Sequence, residues 1–198
     1  MNRPLLPVFA AVVNLSLLLG SGPALAKVDP RTSHADPLIV GDPAGTRAYL
    51  VNVRDINGAP QNRRLVTLDF SGSVVRLYEV QEPGTTLNCA ARTLSRVTDA
   101  SGNALFHPQF GSACNTRDVL VFADGIVITA ACARSTDMDA VDGCTGLGDL
   151  VRFAPCLLDR SGSHPEADFD GSGGVIGLGD LAIFAGDLLS GAKGSYCP

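Results

Sequence analysis

The sequence predicts a mainly β protein with a small α module. An antiparallel β-sandwich over residues 38–133 is followed by a paired calcium loop–helix module over residues 134–198. Three observations predict this class. Short β-branched runs in the first part alternate apolar and polar residues. In the second part a 22-residue stretch occurs twice, at 137–158 and 168–189, offset by 31 residues and identical at 12 positions without a gap. Each copy sets carboxylates and glycines ahead of an apolar helical stripe, which is what a calcium loop feeding a helix requires.

Residues 1–26 read as a secretory signal peptide. Arg3 gives a positive start, residues 5–19 are apolar apart from Pro7, Asn14 and Ser16, and Pro23-Ala24-Leu25-Ala26 ends the run with small residues. A membrane anchor fits less well, because the run is too short to span with margin. The expected location is secreted, extracellular or at the cell surface, with no membrane insertion after signal removal. The 172 residues that remain carry 14 basic and 20 acidic side chains. An acidic chain with no basic stripe and no aromatic platform excludes nucleic acid as the expected partner.

Residues 27–37 hold two prolines among polar residues and read as a flexible leader. Beyond them the period is two. Tyr49-Leu-Val-Asn-Val-Arg, Leu65-Val-Thr-Leu-Asp-Phe and Val74-Val-Arg-Leu-Tyr-Glu-Val alternate. Thr93-Leu-Ser-Arg-Val-Thr, Ala104-Leu-Phe, Val119-Leu-Val-Phe and Ile126-Val-Ile-Thr follow. Turn signals separate them at Asp55–Gly58, Pro83-Gly84, Asp99–Gly102 and Asp124-Gly125, the last a tight hairpin signal between two apolar runs. About seven strands in this length suit a sandwich.

Six cysteines, at 89, 114, 132, 144, 156 and 197, follow the signal region, and none forms a C-x-x-C pair. In an exported chain they suggest up to three disulfides, with 15 possible pairings. The set that respects the module boundary pairs Cys89 with Cys114, Cys144 with Cys156, and Cys132 with Cys197.

Val51-x-Val53-x-Asp55-x-Asn57-Gly58-x-Pro60 followed by Leu65-Val-Thr-Leu resembles the first half of bacterial Ig-like domains of the invasin and intimin type. Val97-Thr-Asp99-Ala-Ser-Gly102-Asn-Ala104-Leu-Phe106 resembles their second half. The resemblance covers about half of the chain after the signal and implies an Ig-like β-sandwich. It implies little about function, since that fold serves adhesion, spacing and carbohydrate recognition alike.

In the repeats, calcium chemistry calls for side-chain oxygens at loop positions 1, 3, 5 and 12. Asp137 and Asp139 supply the first two in one loop, and Asp168 and Asp170 in the other. Asp149 and Asp180 close the loops. Thr145 and Ile176, four residues earlier, sit where two loops can pair by a short β-bridge. The helices follow with apolar residues at Leu150, Phe153, Ala154, Leu157 and Leu158, and at Leu181, Phe184, Ala185, Leu188 and Leu189. Pro155 predicts a kinked or shortened first helix.

This arrangement resembles a type I dockerin module, two loop–helix repeats that close with Asp. The resemblance implies Ca2+ as cofactor, held by Asp137, Asp139, Asp149, Asp168, Asp170 and Asp180. It also implies docking to a cohesin-like protein module through Leu147-Gly148 and Leu178-Gly179. Each loop is one residue longer than the family's. Asp142 can then take position 5 of the first loop with Val141 bulged out, whereas only Ser172 is available in the second, which should bind more weakly.

No catalytic constellation stands out. His34, His107 and His164 are isolated in sequence, and Glu79 and Glu82 at a strand end make a poor glycosidase pair. The expectation is a secreted, non-catalytic binding or scaffolding protein of an extracellular polysaccharide-degrading or surface assembly. The alternative is a calcium-stabilised adhesin whose Ig-like part binds a carbohydrate or a cell surface.

Overall fold

A computed structural model describes residues 27–112 and 116–198. The signal peptide expected at residues 1–26, and Cys114, lie outside the described residues. The chain is mainly β, with several sheets and two helices.

The largest sheet has six strands in the order β2 (Leu38–Gly41), β11 (Ile126–Ser135), β10 (Val119–Ala123), β4 (Leu65–Asp69), β7 (Thr93–Val97) and β6 (Thr86–Asn88). Three strands make a second sheet, β1 (His34–Ala35), β3 (Tyr49–Asn52) and β8 (Asn103–Phe106), and β5 (Arg76–Leu77) pairs with β9 (Phe110–Gly111). Alternation explains the packing. Val66 and Leu68 of β4, Val119 and Val121 of β10, Tyr49 and Val51 of β3, and Ala104 and Phe106 of β8 are all buried in one cluster, while Leu50, Leu65 and Leu105 between them face outward. The Asp124-Gly125 hairpin forms as its sequence predicts. Both residues have positive φ, at 48° and 78°, the geometry that two-residue turns matched to strand twist require.

The two Asp-x-x-Gly turns are built alike. Asp55 accepts from the N–H groups of Asn57 and Ala59, both at 2.9 Å, and Asp99 from those of Ser101 and Asn103, at 2.8 and 2.9 Å. A carboxylate that takes the second and fourth N–H ahead of it closes its own turn, which is why Asp recurs there.

Several expectations are corrected. Residues 27–37 are not a free leader: Val28 is buried and pairs with Asp55, and Asp29 N–H donates to the Arg54 carbonyl at 2.9 Å. The large sheet is mixed, because β2 lies parallel to β11, with Leu38 opposite Cys132 and Gly41 opposite Ser135. The boundary expected between residues 133 and 134 falls inside a strand, since β11 runs unbroken to Ser135 and Thr136 and Asp137 are buried directly after it.

The disulfides also differ from the expected set. Cys89 pairs with Cys197, Cys132 is disulfide-bonded, and Cys144 and Cys156 are free thiols. The reason is the path of the tail. After the second helix it crosses the first loop, where Gly194 N–H donates to the Gly143 carbonyl at 2.7 Å. It then runs beside the first domain, with Glu79 N–H to Ser195 O at 2.7 Å and Cys197 N–H to Leu77 O at 2.8 Å. That path brings Cys197 to Cys89 rather than to Cys132. The same tail takes the edge expected for a Thr145–Ile176 bridge: among the described residues Cys144 pairs with Lys193 instead.

Helix α1 (Leu147–Leu158) passes through Pro155 and has 12 residues against 13 in α2 (Leu178–Ser190), so the proline does not cut it short. Phe153 and Phe184 stack with ring centroids 4.6 Å apart and planes 4° apart, and Phe169 packs on Phe153 at 5.8 Å. These rings centre a second small core with Met138, Cys156, Ala167 and Ile176. Leu158 and Leu189, placed on the core stripe by their spacing, are instead 81 % and 86 % exposed.

Candidate metal centre

Both repeats fold their acidic residues into the same arrangement. In the first loop the carboxylates of Asp137, Asp139, Asp142 and Asp149 bring ligand oxygens within 4.8 Å of one another, and in the second those of Asp168, Asp170 and Asp180 do so. The closing Asp is fixed identically each time. Asp149 accepts from Asp139 N–H at 2.8 Å and Gly146 N–H at 2.7 Å; Asp180 accepts from Asp170 N–H at 3.0 Å and Gly177 N–H at 2.9 Å. Each sits in the first turn of its helix, where unpaired N–H groups and the helix dipole favour a negative charge. Val141, the residue bulged out by the longer loop, is 73 % exposed. Ser172 lies beside Asp170, to which its N–H donates at 2.9 Å.

The glycine of each Leu-Gly pair is explained by the loop in front of it. A Cβ on Gly148 would lie 2.3 Å from Asp139 Oδ2, and one on Gly179 would lie 2.1 Å from Asp170 Oδ2. Both glycines let the position-3 carboxylate lie against the first turn of the helix. Both residues of each pair are nevertheless exposed, with Leu147 at 77 % and Leu178 at 83 %.

The electrostatics favour a cation. Burial pushes the Asp149 carboxyl up to about 6 against two backbone hydrogen bonds, and the neighbouring Asp137 and Asp139 add to the rise. Burial also raises Asp137, despite hydrogen bonds from the Tyr196 and Tyr78 hydroxyls and from Ala140 N–H. In the second loop Asp168 is only 7 % exposed, and its Oδ1 has no hydrogen-bond partner. A buried carboxylate oxygen left without a donor is costly, and a bound ion would remove that cost. The donor set, all oxygen, suits Ca2+.

The two loops differ in what surrounds their first aspartate. Asp137 Oδ2 accepts from both Tyr78 and Tyr196. Asp168 Oδ2 faces the Arg134 guanidinium at 3.1 Å and accepts from Gly173 N–H at 3.2 Å. A fixed positive charge beside the second loop opposes a second cation there. Sequence reasoning missed Tyr78, Tyr196 and Arg134, because each meets an aspartate 34 or 59 residues away in the chain.

Glu82 is no free acid. Its carboxylate accepts from Arg96, from His107 N–H at 2.9 Å, and lies 2.8 Å from His107 Nδ1.

No family model matches the sequence, and no curated protein matches it. Among solved structures, the adhesin InvE of Yersinia pseudotuberculosis aligns with 57 % of this chain and 28 % of its own, at 15 % identity and a TM-score of 0.25. A likeness of that size carries no weight on fold or function. No helix among the described residues is long and apolar enough to cross a membrane.

Proposed function

We propose that this is a secreted, non-catalytic binding protein whose repeat module holds Ca2+ in two acidic loops and docks, dockerin-like, to a cohesin-like protein module. The observation that carries the calcium reading is the orphaned, buried Asp168 Oδ1 within a carboxylate cluster that the first loop repeats. Asp137, Asp139, Asp142 and Asp149 hold one ion, and Asp168, Asp170 and Asp180 with Ser172 hold the other.

Docking is supported by a second repeated feature. Leu147, Val151, Ala154 and Leu158 lie at i, i+4, i+7 and i+11 on the outward side of α1, with Leu178, Ala182, Ala185 and Leu189 at the same offsets on α2. Each stripe is apolar and half-buried or exposed throughout, and matched apolar patches of this kind suit a protein partner. The non-catalytic reading is supported by the saturation of Glu82.

The test has two parts. Titrating the metal-free chain with Ca2+ should raise helicity and melting temperature, and no change with either Ca2+ or EDTA would remove the reading. Leu147→Asp combined with Leu178→Asp should abolish capture by a panel of cohesin modules while leaving the calcium response intact.

A further inference from the structure

Cys156, His164 and Glu166 come together near the end of α1, in a cluster that shares no residue with the acidic loops' carboxylates. Cys156 ends α1's buried face, His164 lies in the loop beyond, and Glu166 stands in the 3-10 turn Pro165–Ala167. One ligand atom from each, Sγ, an imidazole nitrogen and a carboxylate oxygen, lie within 4.8 Å of one another. Glu166 Oε1 is the shared neighbour, 3.0 Å from His164 Nδ1 and 3.9 Å from Cys156 Sγ. The thiol is free and only 4 % exposed.

We propose that these three side chains form a binding site for a borderline or soft divalent transition metal of the Zn2+ class, separate from the acidic loops. The donor set decides the class. Sulfur and imidazole nitrogen suit Zn2+ and its neighbours in the first row, whereas Ca2+ takes oxygen alone. Bonds of about 2.0–2.3 Å in a tetrahedron put ligand atoms roughly 3.3–3.8 Å apart; the separations from Oε1, 3.0 and 3.9 Å, reach that range with side-chain shifts of a few tenths of an ångström.

The support around the ligands is that of a metal site. His164 Nε2 lies 3.1 Å from Asp159 Oδ2, which leaves Nδ1 as the nitrogen facing Glu166. Asp159 is itself held by Ser161 N–H at 2.9 Å, Ser161 Oγ at 2.7 Å and Ser163 Oγ at 2.9 Å. A carboxylate on the second imidazole nitrogen fixes ring orientation and strengthens the ligand. Cys156 Sγ now donates to the Arg152 carbonyl at 3.3 Å. On binding, the thiol proton leaves to solvent, and thiolate plus carboxylate balance the charge of the ion. The fourth position opens onto a pocket of about 360 Å3, lined also by Ser112, Met138 and Arg152.

The test uses the full chain with its acidic loops saturated by excess Ca2+, titrated with Co2+ as an optical probe. One equivalent should produce a thiolate-to-cobalt charge-transfer band together with the visible bands of tetrahedral Co2+, and Zn2+ should bleach both. Cys156→Ser should lose the charge-transfer band, Cys144→Ser should keep it, and Asp159→Asn should weaken binding by about tenfold. An unchanged calcium response in Cys156→Ser shows that the variant is folded. A band that survives in Cys156→Ser, Co2+ binding without a thiolate band, or a Cys144–Cys156 disulfide in the purified protein would each overturn the proposal.

Discussion

The Tyr78 hydroxyl donates to the carboxylate of Asp137, 59 residues further on, so the first acidic loop is anchored to the β domain by its own first aspartate. Tyr196 donates to the same oxygen, and its ring lies against that of Tyr78 with centroids 4.8 Å apart. Hydrogen bonds to a buried charge are worth about 1.5–3 kcal/mol, and removing one partner leaves the desolvation cost in place. Tyr78→Phe should therefore destabilise the protein by about 2 kcal/mol in chemical denaturation and weaken Ca2+ binding at the first loop alone. An unchanged midpoint would show that the anchor contributes nothing.

Two glycine-to-alanine changes in the helices should act in opposite ways. Alanine is favoured over glycine inside a helix by about 1 kcal/mol. At Gly186 of α2 nothing lies within 4 Å of the added methyl, so Gly186→Ala should raise stability by up to about that amount. At Gly148 the methyl meets Asp139 Oδ2, the end of a side chain that can swing away. Gly148→Ala should leave the metal-free melting temperature near that of the parent but reduce Ca2+ affinity, read by calorimetric titration.

The repeat was legible in the sequence because its chemistry is local. Carboxylate spacing, closing aspartates and the glycine ahead of each helix all act within one loop, and the structure gathers these residues as expected. The hairpin at Asp124-Gly125 was legible for the same reason. What the sequence hid depends on contacts between distant segments. Nothing near Val28 announces its pairing with Asp55, and nothing near Cys197 announces Cys89. Reading Cys156 as half of a disulfide also concealed its place beside His164 and Glu166. The leucine-glycine pairs read in the sequence only as a recognition surface; both residues of each pair are exposed, but the close approach of the Asp139 and Asp170 carboxylates to Gly148 and Gly179 was not legible.

Acid should weaken the protein partly through Glu82. Burial pushes its carboxyl up, but the hydrogen bonds from the His107 ring and backbone and the charge of Arg96 more than offset this and hold it below its ordinary value. A depressed folded value means that the stabilisation is present above the unfolded value of about 4.3 and is lost as pH falls through the folded one. Glu82→Gln should cost about 1–2 kcal/mol at neutral pH. The difference from the parent should shrink below pH ~4, which a series of thermal melts would show. A difference that stays constant with pH would exclude this role.

The Cys89–Cys197 disulfide closes a sequence separation of 108 residues. Loop-closure entropy for a ring of that size is about 4–5 kcal/mol, an upper figure when strain and residual structure intervene. Cys197→Ser should lower stability by about 3–5 kcal/mol and free the tail, so that residues 193–198 become sensitive to protease while β10 and β11 stay protected. Equal proteolysis in the two proteins would count against the tail being held by this bond.

The same bond decides how the molecule carries tension. A pull applied at Pro198 meets Cys197 first and passes through sulfur into Cys89 beside the largest sheet. Neither helix nor either acidic loop lies on that path. The whole stretch from Ala90 to Tyr196 hangs from it as a side loop, so the repeats can loosen or tighten while the line between the tail and the sheet stays taut.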